Sequence, residues 1–192
     1  HVGLGKAPTL EINGIHMHRI HDTDPWRDTL TKVRALGKLN RAIVLDTCTG
    51  LGYTAIAAAR KGAFLVVTVE KDPNVVDLAS YNPWSADLEL NNIVTLLGDS
   101  TEVVKYFENE TFTHIIHDPP RFNVAGELYS EEYYRELYRV LKHGGKLFHY
   151  TGEPGKHSNI NVLKGVKNRL MTAGFDYVSW IPEAQGFIAI KM

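Results

Sequence analysis

Five short apolar runs, 42–45, 64–69, 93–97, 112–117 and 146–150, recur at intervals too long for hairpins, and a stretch of helical spacing separates each from the next. Several are nearly continuous, which implies strands buried on both faces, a parallel sheet covered by helices rather than a half-solvated antiparallel one. The intervening helices are expected over 53–61, 74–81, 101–107 and 130–141, with a further one over 161–172. The tail departs from the pattern. Two β-rich runs, 175–181 and 186–190, are separated only by 182–185, too short a link for a crossover helix, so the last strand must return antiparallel. Ahead of the series, 9–20 alternates about Asn13-Gly14, a pair that favours a tight hairpin turn. Asp24-Pro25 then reads as a helix cap and first helical residue, with Trp26, Leu30, Val33 and Leu36 at helical spacing and Gly37 as a stop.

At 192 residues this is one domain, 1–192, with a hairpin extension over 1–22 and a doubly wound core over 23–192. No apolar run approaches the roughly 20 residues that span a bilayer. Cys48 is the single cysteine, and no basic and apolar leader opens the chain, so a reducing cytoplasm is the expected setting. The first residue is His1 rather than Met, so a preceding segment is expected. The net charge of -1 conceals a polarity: Glu70 to Glu110 holds nine acidic residues against Lys71 and Lys105, whereas Lys142 to Leu170 holds six Lys or Arg against Glu153. Such a division suits an anionic cofactor end and a cationic substrate end, or two solvated faces of opposite sign.

The sequence Asp46-Thr47-Cys48-Thr49-Gly50-Leu51-Gly52 directly follows the first run and leads into a helix. A strand, a glycine turn and a helix start bring bare backbone amides to a positive helix end, where a nucleotide-like ligand can touch them. Acidic residues then stand at or just beyond the ends of successive runs: Glu70, Asp99, and Asp118 followed by Pro119 and Pro120. One such acid is usually a solvated turn residue. Three in order are a pattern.

The ordering resembles that of the class I S-adenosylmethionine-dependent methyltransferases over Arg41 to Met192, with Cys48 where the family's first loop glycine usually stands. The resemblance implies a Rossmann-like sheet of seven strands with an antiparallel last strand, and S-adenosylmethionine as cofactor. It implies that Asp46 orients the cofactor's ammonium group, that Gly50 and Gly52 let the chain pass beneath its methionine part, that Glu70 accepts both ribose hydroxyls, and that Asp99 and Ser100 meet the adenine. Thr47, Thr49, Tyr53 and Lys71 complete the expected cofactor contacts.

Asp118-Pro119-Pro120-Arg121-Phe122 resembles the Asp-Pro-Pro-aromatic signature of enzymes that methylate exocyclic amino groups of nucleobases or the side-chain amide of glutamine, with Arg121 intervening before the aromatic. A ring-conjugated amine is a poor nucleophile; Asp118 and the Pro119 carbonyl would each accept one of its hydrogens and aim its lone pair. Pro119 and Pro120 restrict the backbone that carries this carbonyl. Phe122 is the expected stacking face, Arg121 a second stacking plane or a phosphate contact, and Tyr129 and Tyr150 candidate pocket walls. The runs around 70–75, 82–85 and 126–141 resemble an archaeal group of predicted methyltransferases, one branch of which acts on cytosine N4 of ribosomal RNA. RNA is therefore the expected partner, with the basic segment supplying phosphate contacts from Lys156, Lys164, Lys167 and Arg169.

A small-molecule methyltransferase or an aminopropyltransferase would share the loop and Glu70 without needing a basic patch, and a non-catalytic cofactor-binding protein would not need Asp118. His16, His18 and His21 lie close in sequence, but on a hairpin they read as surface or packing residues and no metal is expected. The tyrosines of 129–138 recur at helical spacing and read first as a core stripe. Cys48 has no histidine partner in the sequence and is not expected to act as a nucleophile.

Overall fold

The structure, a computed structural model, describes residues 5–12, 14–152 and 159–192. Asn13 of the expected hairpin turn, and Lys156 and His157 of the basic segment, lie outside the described residues.

A two-stranded hairpin, β1 (Glu11–Ile12) and β2 (Ile15–His16), precedes helix α1 (Pro25–Ala35). The Asp24 carboxylate caps α1 by accepting from the amides of Trp26 and Arg27, both at 3.1 Å, and Pro25 takes the first turn, where its missing N–H costs nothing. The core then alternates: β3 (Ile43–Asp46), α2 (Tyr53–Arg60), β4 (Leu65–Glu70), α3 (Pro73–Ser80), β5 (Ile93–Leu97), α4 (Ser100–Val103), β6 (Phe112–His117), α5 (Glu131–Val140), β7 (Leu141–Tyr150), α6 (Asn159–Thr172), β8 (Tyr177–Ile181) and β9 (Gly186–Ile190). Seven strands form one sheet in the order β5-β4-β3-β6-β7-β9-β8, with β9 antiparallel to both neighbours. The expected doubly wound sheet with an antiparallel last strand is the architecture observed.

Alternate residues of the central strands feed two cores. Leu45, Val67, Ile115, Leu147 and Ala189 face α5 and α6, while Val44, Val66, Ile116, Phe148 and Ile188 face α1 and α2. Continuous apolar runs are what this two-sided burial demands, each large side chain contributing about 1.5–3 kcal/mol. The tyrosine stripe of α5 is core-facing, Tyr133 and Tyr134 both being buried.

Three local expectations give way. The hairpin strands are two residues each rather than spanning 9–20, because the chain from Met17 onward turns back onto α2, with the Met17 amide donating to the Leu10 carbonyl at 2.8 Å. The helix expected over 101–107 tightens to a 3-10 turn at Val104–Tyr106 and stops. Arg139 of α5 donates to the Val104 and Phe107 carbonyls at 3.0 and 2.8 Å, taking acceptors that a continuing helix would use. A 3-10 segment, Pro83–Glu89, covers the start of α2 where no element was expected, and Ser85 Oγ donates to the Leu51 carbonyl at 2.7 Å.

Strand order reverses at β3, from which the chain moves out through β4 and β5 and then back across to β6. The carboxyl ends of β3 and β6 therefore splay around a crevice, the position at which open α/β sheets bind ligands.

Candidate active site

A cleft of about 980 Å³, open to solvent, lies over that switch point. Its floor is Thr47 to Gly50 of the turn that follows β3, with Asp46 buried beneath it. Gly50 and Gly52 both hold left-handed backbone, at φ of 53° and 79°. A Cβ at Gly50 would enter open space, so the bare backbone faces the cleft; one at Gly52 would meet the Leu88 side chain at 2.5 Å. A side chain at Gly52 would thus be excluded twice over.

Asp46 is fully buried, and its Oδ2 accepts from Thr68 Oγ1 at 2.8 Å and Thr54 Oγ1 at 3.0 Å. Its Oδ1 has no partner among the described residues. Burial pushes the carboxyl up to about 7, against the two hydroxyl bonds that pull it down. A buried, unpartnered carboxylate oxygen beside a glycine turn is an acceptor with unused capacity. Glu70 ends β4 with Oε2 accepting from the Gly50 amide at 2.9 Å and Oε1 from the Asp72 amide at 3.0 Å. Each oxygen keeps a further lone pair, enough for a vicinal diol.

Asp99 caps α4 through Oδ1, which accepts from the Thr101 amide and hydroxyl at 2.9 and 2.7 Å, while Lys71 Nζ lies 2.7 Å from Oδ2. Burial raises the Asp99 carboxyl, but the bonds from Lys71 and Thr101 outweigh it and leave the group below its ordinary value. The Ser100 hydroxyl is engaged with the Tyr133 hydroxyl, so any contact from Ser100 to a ligand falls to its backbone amide. Thr47 and Thr49 line the cleft, but both hydroxyls are also spoken for, by His117 Nδ1 and Thr68 Oγ1 at 2.7 Å each. Tyr53 lines it too, with its hydroxyl donating to the Pro8 carbonyl at 3.0 Å.

Across the crevice Asp118, Pro119 and Pro120 leave the end of β6 and line the opposite wall. Asp118 Oδ2 accepts from Lys32 Nζ at 2.8 Å. Its Oδ1 and the Pro119 carbonyl accept no hydrogen bond from the described residues. The Pro120 carbonyl is held instead by the Tyr129 hydroxyl at 2.9 Å. Tyr129 is itself buried and does not line the cleft; it braces the Pro-Pro segment from behind. Tyr150 likewise stands back from the wall, its ring 3.7 Å from Lys32 Nζ. Arg121 and Phe122, next along the chain, are exposed but do not line the cleft, Phe122 packing edge-on against Tyr129.

Two features went unread in the sequence. The first is Lys32, buried to 3% exposure between Asp118 and Asp28, with Nζ 2.9 Å from Asp28 Oδ2. The only local signal was an opposite-charge pair four residues apart on α1, which ordinarily marks a solvated face. The second is the hairpin segment, from which Leu10, Ile12, Met17 and His18 close the cleft from above. His18, pushed down to about 4 by burial and by Lys32, is a neutral wall. His16 and His21 go to separate acidic neighbours, Glu11 and Asp22, and no metal-binding group is found among the described residues.

Behind the wall, Thr47 donates to His117 Nδ1, and Nε2 of the same ring donates to the Leu128 carbonyl at 2.9 Å. This bridge ties the glycine turn to β6 and to the segment before α5. Burial drives His117 down to about 3 and His149, beside it, well below its ordinary value. Cys48 lines the cleft floor, its thiol pushed well up by burial and by Asp46, Glu70 and Asp118, so it is no thiolate nucleophile.

Among the described residues, the basic segment does not form one face. Lys142 and His143 lie at the amino end of β7, remote from the cleft, and Arg169 donates Nε to the Tyr129 carbonyl at 2.7 Å as an internal brace. Lys164 and Lys167, exposed on α6, remain as surface cations.

The donor and acceptor set fits S-adenosylmethionine: the unpartnered Asp46 Oδ1 for an ammonium group, the spare Glu70 lone pairs for ribose hydroxyls, and Asp99 with the Ser100 amide for an adenine edge. The family model described as Conserved hypothetical protein 95 matches residues 22–169, and the chain belongs to that family. An uncharacterised protein of Methanocaldococcus jannaschii is 52% identical over 185 residues, which cover 96% of this chain and 64% of that protein. A spermidine synthase bound to the transition-state analogue AdoDATO superposes with a TM-score of 0.77 at 22% identity, covering 94% of this chain and 64% of that one. A Methanococcus maripaludis protein, described as a candidate S-adenosylmethionine-dependent methyltransferase, superposes with a TM-score of 0.64 at 22% identity, covering 88% and 86%. The fold is that of the class I methyltransferases.

Proposed function

From this family membership and this cleft, we propose that the protein transfers a methyl group from S-adenosylmethionine to an exocyclic amino group of a nucleobase in RNA. The observation that carries the reading is the pair of free acceptors, Asp118 Oδ1 and the Pro119 carbonyl, placed across the crevice from the Asp46 to Gly52 turn. Bound S-adenosylmethionine supplies an electrophilic methyl on a sulfonium. Asp46 holds its ammonium end and Glu70 its ribose. Asp118 and Pro119 each accept one hydrogen of the target amine, which draws its nitrogen towards tetrahedral geometry and presents the lone pair. Tyr129 fixes the Pro-Pro backbone. Phe122 and Arg121, exposed just beyond Pro120, offer a stacking edge and a cation to a single-stranded base and its phosphate.

Aminopropyl transfer to a polyamine, the competing reading, calls for carboxylates free to hold a cationic substrate. Here the carboxylate beside the Pro-Pro segment, Asp118, is paired with Lys32, an arrangement suited to a neutral amine. The test is mass spectrometry of RNA nucleosides from cells with and without the protein, followed by methylation of the deficient RNA in vitro. A nucleoside N-methylated on its exocyclic amine, lost with the protein and restored by it, is expected. Loss of a 5-methyl or 2′-O-methyl nucleoside, or transfer only to protein glutamine or to a polyamine, refutes the proposal.

A further inference from the structure

We propose that Lys32 is a positioning residue for methyl transfer: from the hidden face of α1 it holds Asp118 so that one carboxylate oxygen alone is presented to the substrate amine. The inference rests on the assignment of Asp118 as the acceptor of the amine hydrogen. Lys32 Nζ lies 2.8 Å from Asp118 Oδ2 and 2.9 Å from Asp28 Oδ2, and the Tyr150 ring closes its third side at 3.7 Å. Arg19 lies 3.6 Å from Asp28 Oδ1, too far for a hydrogen bond but close enough to balance its charge. The result is two cations and two carboxylates in alternation, running from the hairpin segment through α1 to the end of β6. Asp118 is the only one of the four that lines the cleft.

Burying such a chain of charges is a poor route to stability, since desolvation of each ion opposes the attraction between them. What it does supply is orientation. Asp118 follows the last residue of β6, where an unheld carboxylate would rotate between the cleft and solvent. With Oδ2 fixed on Lys32, Oδ1 remains as the oxygen free for the substrate. Because Lys32 Nζ donates to Oδ2, the oxygen left towards the cleft is an acceptor, so the group opposite must be a donor. A neutral exocyclic amine has the N–H to give; a ring nitrogen with only a lone pair does not.

The test separates orientation from stability. Lys32→Met alone leaves two carboxylates facing one another and will lower stability, so the informative variant is Lys32→Met with Asp28→Asn, which removes one charge of each sign. Transfer from radiolabelled S-adenosylmethionine to RNA from cells lacking the protein is measured alongside cofactor affinity and thermal unfolding. The expected result is a melting temperature and cofactor Kd near wild type, a KM for RNA within about threefold, and a kcat reduced tenfold or more. In an Asp118→Ala background the same two substitutions should change kcat less than twofold, because a residue that acts through Asp118 has nothing left to position. Wild-type kcat in the charge-balanced variant, or an undiminished loss in the Asp118→Ala background, overturns the proposal. Wild-type turnover by Asp118→Ala itself would instead overturn the assignment of the acceptor. A readout free of substrate is a crystal structure of the charge-balanced variant with S-adenosylmethionine. Asp118 should be rotated or split between orientations, and a single wild-type orientation refutes the role of Lys32.

Discussion

Cofactor binding should release a proton from Asp46. This carboxyl is fully buried and raised to about 7, Thr54 and Thr68 satisfy one of its oxygens, and the other has no partner. Around neutral pH the free protein therefore carries Asp46 as a mixture of acid and carboxylate. An ammonium group seated on Oδ1 selects the carboxylate, because an opposite charge within a few ångströms favours the ionised form. Below pH 7 the proton must leave before the ammonium can pair, and apparent affinity should fall about tenfold for each unit of pH, or about 1.4 kcal/mol. Above pH 7 the dependence should flatten. For stability the sign is the reverse: a folded-state value above the unfolded one contributes stability present below about 3.8 and lost as pH rises through about 7.

The assay is calorimetric titration of S-adenosylmethionine at pH 5.5, 6.0, 6.5, 7.0 and 7.5, repeated in buffers of different ionisation enthalpy. Close to one proton should be released per cofactor bound at pH 6, with a Kd about ten times that at pH 7.5. Asp46→Asn keeps the hydrogen bonds from Thr54 and Thr68 through its amide oxygen but cannot ionise. It should bind weakly at every pH, with no proton release. A Kd constant from pH 5.5 to 7.5 in the unaltered protein refutes the pairing of Asp46 with the ammonium group.

Glu70→Ala should weaken cofactor binding by about 1–3 kcal/mol, the range for lost hydrogen bonds to a charged group, and should also lower the melting temperature, since the Gly50 and Asp72 amides lose their acceptor; calorimetry and thermal unfolding read the two effects, and an unchanged Kd removes Glu70 from the ribose site. Asp118→Ala should leave cofactor Kd within about twofold while cutting methyl transfer by about 10²-fold or more, and a matching loss in Kd would place Asp118 in cofactor binding instead. Lys164 and Lys167 changed together to Glu should flatten the dependence of RNA affinity on salt, because fewer counterions are released; an unaltered slope shows that α6 does not face the RNA. His18 and His114 are held down to about 4 and His117 to about 3, mainly by burial, so their contribution to stability is present above about 6.5 and lost as pH falls; a melting temperature constant between pH 6.5 and 4.5 would contradict their neutral burial.

The core was legible because its signal is local and repeated. Val44 and Leu45 are both apolar since one meets α2 and the other α5, and that two-sided burial is written into every inner strand. The acidic residues at the strand ends were legible for a related reason: parallel order puts all of their carboxyl ends on one side. What stayed hidden depends on contacts far apart in sequence. Asp28 and Lys32 look like a solvated pair until Asp118, 86 residues later, is folded against them. The hairpin read as an appendage because nothing in Leu10 or Met17 reveals that the cleft is open above Asp46 until they cover it. Tyr129 and Tyr150 were placed in the right neighbourhood but one layer too far forward. An aromatic near a strand end does not disclose whether it faces ligand or props the residue that does.

Under the proposed function, one cleft holds a cationic cofactor and acts on a neutral amine, and the arrangement of charge across the crevice suits both. On the β3 side Asp46 keeps an unpaired buried oxygen, and burial raises its carboxyl. On the β6 side Asp118 has a counter-ion built in from α1. A cation entering the cleft gains more at Asp46, where it relieves a desolvated charge, than at Asp118, whose charge is already met. On the proposed reading, the ammonium of S-adenosylmethionine would thereby be directed to the glycine turn, and the acceptors at the Asp-Pro-Pro wall left for a group whose N–H is polar but uncharged. Undoing that balance, by Lys32→Met with Asp28→Asn so that Asp118 loses its counter-ion while Asp46 is kept, should draw cations to the wrong wall. Protonated amines such as spermidine, added to the double variant, should then compete with the RNA substrate, whereas in the unaltered protein they should not. Equal insensitivity of both proteins to spermidine, at matched ionic strength, would contradict this division of charge.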